Sequence, residues 1–190
     1  MKPSSVKREQ IEYCDFKNKD FLLDVVNRCQ GGDTDAMEKV YIAYKSSLLN
    51  LAYRFTRDSS LAEDLLQDIF IKIFINIKKL RFPGAFNSWL YRIAVNTCMS
   101  YARKKGKTRE VSLEEIENVG SSENSGNQVR EQLEQAIKIL PPKQKIVFQL
   151  HDVEGFTHAE IAKIMKSSEG TAKSQLFKAR MKIRNFLRGT

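Results

Sequence analysis

The sequence has 190 residues, enough for one domain or two small ones, and this length excludes a large multidomain enzyme. Hydrophobic residues make up 42% and charged residues 29%, with only 9 glycines and 4 prolines, which excludes a collagen-like or wholly disordered chain. The net charge of +9 favours an anionic partner, either nucleic acid or a membrane surface.

The positive charge is concentrated in two stretches that contain no acidic residue. Ten basic residues lie between Asp68 and Glu110, and six follow Glu169. Either stretch alone is equally well explained by a solvated basic face. Two of them at separate places indicate two contacts with one polyanion.

The cysteines and the first residues of the sequence favour a soluble cytoplasmic protein. Cys14, Cys29 and Cys98 lack metal-binding spacing, and an odd number does not suit a simple disulfide framework, so reduced thiols are expected. Residues 1–21 lack the apolar core of a secretory signal. No apolar run approaches the length of a membrane span, so no insertion into a membrane is expected.

Helical periodicity divides the sequence into two parts. It runs from Lys19 to Lys105 and returns near Val129. The Ser-, Asn-, Glu- and Gly-rich segment between them has little to bury, which is typical of a flexible linker. The prediction is an all-α protein with two small helical domains, residues 1–105 and 128–190, joined by a flexible acidic linker, residues 106–127.

The first helix that bears on function is predicted to begin near Ser60, because Ser60 and Glu63 have the spacing of a capping box. Residues 69–77 are rich in β-branched side chains and could form a strand. Their apolar positions continue the stripe of the preceding helix, which favours a helix. The predicted buried stripe is Ala62, Leu65, Leu66, Ile69, Phe70, Ile73 and Ile77.

The opposite side of this helix mixes carboxylates with isoleucines. Helical steps align Asp64, Gln67, Asp68, Ile71 and Ile75. Two interpretations remain open. The side is either a polar face whose isoleucines are covered by a neighbouring helix, or a docking surface for a basic protein, with an apolar centre and an acidic rim.

A second helix is predicted to begin at Asn87 or Ser88, after a basic, turn-prone loop at residues 78–86. The side of this helix away from the core has no acidic residue and carries Arg92, Asn96, Met99 and Arg103. Cations, aromatic faces and an amide suit single-stranded nucleic acid, because they bind its backbone, stack on its bases and hydrogen-bond base edges. For Phe86 and Trp89 taken singly, burial in the core is the simpler interpretation.

The last stretch predicts a helix-turn-helix. Thr157 and Glu160 have capping-box spacing at the start of a short helix, Lys166–Ser168 form a turn, and a longer basic helix follows. The N-terminal part of such a second helix enters the DNA major groove. Its core stripe is predicted to be Ala172, Leu176, Ala179, Ile183 and Leu187, and the residues pointing away are Lys173, Ser174, Phe177 and Lys178. Phe177 is expected either to contact a thymine methyl or sugar, or to pack at a domain interface.

The sequence shows no assembled catalytic site. His151 and His158 have no flanking ligand set, and no phosphate-binding loop, nucleophile elbow or zinc-hydrolase motif occurs. We therefore expect no metal, no cofactor and no enzymatic activity. Asp64 and Asp68 leave a nuclease or recombinase open, although their position beside Ile71 favours docking over metal binding.

Four ordered motifs resemble the bacterial RNA polymerase sigma factors of the small extracytoplasmic function (ECF) type. These motifs are Ala62–Phe70, Phe86–Asn96, Leu140–Pro142, and the pair Gly155–Ala162 and Gly170–Arg180. The likeness covers residues 21–105 and 128–187 in the order and spacing of the family. It implies a region 2 domain for core polymerase binding and minus-ten recognition, and a region 4 domain for minus-thirty-five recognition.

The resemblance implies three protein partners. In the family the acidic helix binds the clamp helices of the β′ subunit of core RNA polymerase, which implies that role for Asp64, Gln67, Asp68, Phe70 and Ile71. The second domain is implied to contact the β flap of the polymerase. An anti-sigma factor, which holds such proteins inactive, is the third implied partner.

The resemblance also implies two contacts with promoter DNA. The loop and second helix are implied to open the minus-ten element and hold a flipped base and the single strand, through Leu80, Arg81, Phe82, Phe86, Arg92, Asn96, Arg103 and Lys104. The helix-turn-helix is implied to read the minus-thirty-five element through Thr171, Lys173, Ser174, Gln175, Phe177 and Lys178. The family often has Arg at the position of Gln175, so one phosphate or guanine contact is expected to be missing or replaced by an amide contact to adenine.

A stand-alone helix-turn-helix regulator is the alternative from a different class, with the first domain serving dimerisation or ligand binding. It predicts tight, specific DNA binding without polymerase. It does not explain why the outer side of the helix that begins near Ser60 mixes carboxylates with isoleucines. Nor does it explain the residues from Arg92 to Arg103 on the outer side of the second helix. The sequence therefore favours a cytoplasmic sigma factor that directs promoter-specific transcription initiation.

Overall fold

The computed structural model describes residues 16, 18–108 and 125–189, with side chains for 16, 18–105 and 131–189. These residues form eight α-helices and no strand, which confirms the all-α prediction. The first four helices are α1 (Lys19–Gly31), α2 (Thr34–Thr56), α3 (Ser59–Asn76) and α4 (Phe86–Thr108). The last four are α5 (Ser125–Lys138), α6 (Pro142–Phe148), α7 (His158–Met165) and α8 (Glu169–Arg188).

Short polar side chains set several of the helix starts by accepting early backbone N–H groups. Asn18, Asp33 and Ser168 cap α1, α2 and α8 in this way. The predicted capping box at α7 is confirmed. Thr157 Oγ1 accepts from the N–H of Glu160 at 3.3 Å, and Glu160 Oε2 accepts from the N–H of Thr157 at 2.8 Å.

The start of α3 differs from the prediction. Asp58 is the N-cap residue, and its Oδ1 accepts from the N–H of Leu61 at 2.9 Å. Ser60 therefore lies inside the first turn, and its predicted capping box with Glu63 is wrong. A carboxylate two residues upstream outcompetes the hydroxyl, because both types of side chain serve as N-caps and the earlier one extends the helix.

The helices at the predicted linker reach further than the periodicity suggested. α4 begins at Phe86 and continues to Thr108, and α5 begins at Ser125. Both ends of the predicted linker, residues 106–127, are therefore helical. The remainder, residues 109–124, lies outside the described residues.

The first four helices pack around an aromatic centre. Tyr44 of α2 is fully buried, and its ring meets those of Phe16 and Phe86 edge-on at centroid distances of 5.3 and 5.9 Å. The predicted apolar stripe of α3 is buried along its length. Two short 3₁₀ turns, Ile77–Lys79 and Pro83–Ala85, connect α3 to α4.

The last four helices contain the predicted helix-turn-helix. The short α6 continues into one π-helical segment, Gln149–Val153, and α7 and α8 follow. The turn between α7 and α8 places Lys166 in the left-handed region, with φ of 51°. Four members of the predicted α8 stripe are buried, but Leu187 is 40% exposed because it lies at the open end of the helix.

The two helix groups pack directly on each other. The ring of Phe156, before α7, meets that of Tyr91 of α4 edge-on at 5.0 Å. Tyr91 Oη and Ser47 Oγ of α2 each donate to the Glu154 carboxylate at 2.6 Å. One hydrophobic core therefore runs from the first four helices into α6, α7 and the start of α8, and a second, smaller cluster joins α5 to the later part of α8.

The two described cysteines are free and buried. Burial raises the pKa of Cys29 to about 11 and that of Cys98 to about 12, so both thiols stay protonated at neutral pH. Cys14 lies outside the described residues. Among the helices that the structure describes, none has the length and hydropathy needed to cross a membrane.

Candidate protein and nucleic-acid interfaces

The acidic and apolar side of α3 faces outward. Ile71 is 55% exposed and Ile75 is 70% exposed, although burial would stabilise both side chains. Asp64, Gln67 and Asp68 are exposed on the same side of the helix, and we call these five residues the α3 face. Within the described part of the chain no helix covers the isoleucines, so the interpretation of a covered polar face is wrong.

Phe70 lies beneath the α3 face rather than on it. Its side chain is 4% exposed, and its ring packs against Tyr41 of α2 and Phe74 at centroid distances of 4.7 and 5.8 Å. Phe70 therefore lies in the buried stripe that the periodicity predicted, and the ring for which the resemblance implies polymerase contact is packed in the core of the bundle in this structure. Tyr41, which the sequence analysis missed, is 36% exposed and widens the apolar surface. Periodicity within one helix could not identify it, because the contact joins two helices.

The loop between α3 and α4, residues 80–86, is anchored at both ends. Leu80 is 8% exposed and Phe86 is fully buried, so both of these side chains, for which the resemblance implies strand binding, lie in the core in this structure. Phe86 packs against Trp89 with ring centroids 6.0 Å apart, as core burial predicted. Arg81 and Phe82 project from the loop, and the Phe82 side chain is 75% exposed.

A basic row on α4 continues directly from this loop. Asn96, Arg103 and Lys104 are exposed and Arg92 is half-buried, and we call these four residues the α4 row. Arg103 Nη2 donates to Ser100 Oγ at 3.0 Å, one turn back along the helix. The loop and the row present four cations, an aromatic face and an amide along one continuous segment, which suits a single strand of nucleic acid.

The outer side of α8 is polar apart from one exposed ring. Phe177 is 67% exposed, so it does not pack at a domain interface in this structure. Gln175 is half-buried at the edge of the surface, whereas the other expected contacts are exposed: Thr171, Lys173, Ser174, Phe177 and Lys178. We call these five exposed residues the α8 face. Lys173 Nζ lies 2.8 Å from Glu169 Oε1, and this contact lowers the pKa of Glu169.

The orientation of α8 is fixed by an ion pair to the π-helical segment. Arg180 donates through Nε to Asp152 Oδ2 at 3.0 Å and through Nη2 to Asp152 Oδ1. Burial raises the pKa of Asp152, but the hydrogen bonds from Arg180 and His151 outweigh it and hold that pKa below its ordinary value. The rings of His151 and His158 are 4.6 Å apart, and the described residues contain no cluster of three metal-binding side chains.

The two helix groups match two regions of one protein family. Sigma-70 region 2 matches residues 40–108, which include most of α2 and all of α3 and α4. Sigma-70 region 4 matches residues 130–183, which extend from α5 into α8. All three surfaces described above lie within these matched ranges.

Two bacterial proteins are similar to this chain over most of its length. The RNA polymerase sigma-H factor of Pseudomonas aeruginosa is 30% identical over 173 residues, covering 84% of this chain and 90% of that protein. The ECF RNA polymerase sigma-E factor of Haemophilus influenzae is 31% identical over 175 residues, covering 85% and 92%. The similarity therefore includes both helix groups.

Two solved structures share the fold. CnrH, in complex with the cytosolic domain of CnrY, gives a TM-score of 0.68 at 17% identity, covering 88% of this chain and 97% of that chain. The sigma factor RpoE of Bartonella quintana, in complex with the anti-sigma factor NepR, gives 0.63 at 22% identity, covering 91% and 98%. At these identities the likeness shows the fold alone.

The two matched regions and their order define a two-region initiation factor of the sigma-70 class. This chain belongs to the ECF family of RNA polymerase sigma factors, which act in promoter-specific transcription initiation. Members of this family are DNA-binding initiation factors rather than enzymes. The stand-alone regulator is therefore not favoured.

Proposed function

We propose that this sigma factor uses each of the three surfaces described above for a separate binding step in transcription initiation. The α3 face binds core RNA polymerase, the exposed loop residues and the α4 row hold the melted minus-ten strand, and the α8 face reads the minus-thirty-five element. The observation that carries the proposal is the exposure of Ile71 and Ile75, at 55% and 70%, beside two carboxylates.

Docking of the α3 face follows from its composition. Exposed isoleucines favour an apolar partner surface, and the flanking Asp64 and Asp68 favour one that is also basic. The clamp helices of the β′ subunit are the partner that this chemistry and the family suggest. Removing the isoleucines from water supplies affinity, while the carboxylates favour the correct partner and speed association.

Strand capture follows from the position of the loop at the start of α4. A base leaving the duplex costs a few kcal/mol of unstacking, which stacking on Phe82 and charge contacts to Arg81 offset. Asn96 offers an amide to a base edge, and Arg103 and Lys104 lie further along the row for backbone phosphates. Capture of the base therefore selects which promoters open.

Duplex recognition follows from the α8 face. Lys173 and Lys178 supply phosphate or base contacts, and Phe177 supplies an apolar contact to a thymine methyl or a sugar. Gln175, at the edge, is placed for an amide contact rather than the guanidinium contact that Arg would make. The β flap of the polymerase is proposed to support this domain.

An anti-sigma factor is proposed as a further protein partner, in the cytoplasm. The support is that the structurally similar RpoE of Bartonella quintana was solved with an anti-sigma factor, and CnrH with the cytosolic domain of CnrY. A partner of this kind would keep the protein from core polymerase until a signal releases it.

Core docking is tested by titrating labelled protein with sigma-free core RNA polymerase and following fluorescence anisotropy. The double variant Ile71→Ser with Ile75→Ser is expected to bind about 10- to 100-fold more weakly, because the apolar centre of the interface is lost. Ile139→Ser is the matched control, since Ile139 is 53% exposed but lies between α5 and α6 and is not one of the five residues of the α3 face. Equal affinity of the double variant and the control would contradict the proposed role of the α3 face.

A further inference from the structure

One side chain of α1 hydrogen-bonds the backbone where the chain enters the loop at residues 80–86. Gln30 Nε2 donates to the carbonyl oxygen of Ile77 at 3.0 Å and to that of Leu80 at 2.7 Å. Gln30 is partly buried and lies at the end of α1, 47 and 50 residues away in sequence from the two carbonyls. One amide therefore binds both ends of the 3₁₀ turn through which the chain leaves α3.

These carbonyls lie where the chain leaves α3, and the last carbonyls of a helix lack intrahelical partners. Ile77 O also accepts from the N–H of Leu80 at 3.0 Å, which closes the turn, whereas Leu80 is already extended, with φ of −74° and ψ of 105°. An amide with two N–H groups can hold both oxygens at once, which neither a carboxylate nor an aliphatic side chain can do.

Among the described residues, neither the Arg81 nor the Phe82 side chain makes a hydrogen bond to the bundle, although the carbonyl of Phe82 accepts from the N–H of Ala85 at 2.9 Å within the next turn. Phe82 is 75% exposed and Arg81 is exposed, so core packing does not fix where they point. The buried side chains of Leu80 and Phe86 hold the ends of the loop, but an apolar contact leaves rotation of the backbone open. The two hydrogen bonds from Gln30 fix the carbonyl immediately before Arg81, and with it the direction in which the loop leaves the bundle.

We propose that Gln30 is a positioning residue for base capture, which sets the backbone of the loop so that Arg81 and Phe82 face the melted strand. It touches the loop and not the DNA. This inference rests on the proposed role of the loop in holding the minus-ten strand. Loss of the amide should therefore change which base the holoenzyme prefers, and not only how much active protein is present.

The test uses holoenzyme made with Gln30→Leu or Gln30→Glu, together with fork-junction DNA whose nontemplate strand is unpaired across the minus-ten element. That DNA comes from a promoter at which the wild-type protein starts transcription. The measured quantity is the affinity ratio between the native strand and strands with one base exchanged. Both variants are expected to lower this ratio about 10-fold, the effect of roughly 1.4 kcal/mol, while binding of core polymerase stays unchanged.

Asn76→Ala is the matched control, because Asn76 Nδ2 also donates to a carbonyl at the end of α3, that of Lys72 at 2.8 Å, and its Oδ1 accepts from Lys79 Nζ at 2.9 Å, but neither partner lies in residues 80–86. It should keep the wild-type ratio. If the Gln30 variants bind with a lower active fraction but the wild-type ratio, Gln30 has only a structural role and the inference is overturned. If wild-type holoenzyme itself shows no base preference, the proposed role of the loop fails instead.

Discussion

At the scale of single residues, the position of a polar side chain relative to a helix end decides how much it stabilises the fold. Asp33 caps α2 by accepting from the N–H groups of Asp35 and Ala36 at 2.9 and 3.1 Å, and Arg28 Nη2 lies 2.8 Å from its carboxylate. The backbone hydrogen bond from Ala36 and then the one from Arg28 lower the pKa of Asp33. The helix start therefore depends on an ionised carboxylate.

This dependence predicts a pH effect of defined sign. Because the pKa of Asp33 is lower in the folded protein, its contribution is fully present above the unfolded value of about 3.9 and is lost as the pH falls through the folded value. Asp33→Asn should therefore lower Tm at neutral pH, and the difference from wild type should shrink below about pH 4. Thermal melts of both proteins from neutral to acidic pH measure it. Glu38→Gln, on the same helix, is the control, and a difference that stays constant with pH would contradict the prediction.

Single residues also mark the limit of the sequence-based prediction. The exposure of Ile71 and Phe177 followed from their angles on the helix, because each lies far from the buried stripe. Leu80 could not be placed in this way, because it lies beside a loop, where no period applies. Phe86 was expected in the core as an aromatic residue at a helix start, but its partner Tyr44, more than 40 residues away in the sequence, could not be predicted.

At the scale of helices, most of the fold could be predicted from the sequence. The apolar stripe of α3 continued through the β-branched run at residues 69–77, and tertiary burial of that stripe outweighed its strand propensity. Helix starts were less predictable, because Asp58 and Ser60 are both good caps and only the folded backbone decides between them. The α3 and α8 faces were predictable because a helix repeats every 3.6 residues.

The α8 face predicts two kinds of change in DNA binding by holoenzyme. Lys173→Ala should weaken binding to all duplex sequences and lower the slope of log K against log salt by about 1, because one phosphate contact is lost. Phe177→Ala should leave that slope unchanged and lower the preference for the promoter by about 1 to 2 kcal/mol, because an apolar contact is lost. Lys182→Ala, an equal loss of charge further along α8, serves as the control. Salt titrations that give the same change for Lys173→Ala and Phe177→Ala would count against this division of roles.

At the scale of the whole molecule, the contact between the helix groups was not predictable. It joins Ser47 and Tyr91 to Glu154, polar residues on separate elements that no periodicity connects. The Glu154 carboxylate accepts from both hydroxyls at 2.6 Å and from Gln149 Nε2 at 2.8 Å. Such a contact is visible only once both groups have been folded and packed.

Loss of this carboxylate should loosen the two groups. Glu154→Ala leaves the Ser47 and Tyr91 hydroxyls without that acceptor, and we expect the free energy of unfolding to fall by about 2 kcal/mol. Fluorescence energy transfer between a label on α2 and a label on α8 should report a longer mean distance between the two helix groups. Asp152→Ala is the matched control, because Asp152 binds Arg180 within the second group and should leave the distance unchanged. An unaltered distance in Glu154→Ala would show that this carboxylate does not hold the groups together.

The most direct test of the central claim, that this sigma factor starts transcription through separate polymerase and DNA surfaces, is a run-off assay. Purified protein is mixed with sigma-free core RNA polymerase and a pool of genomic promoter fragments, and the transcripts are sequenced. We predict protein-dependent transcripts that share two upstream boxes, and their loss with Asp64→Ala combined with Asp68→Ala in a protein that still folds. Tight binding to duplex DNA without polymerase, together with no directed initiation, would contradict the account.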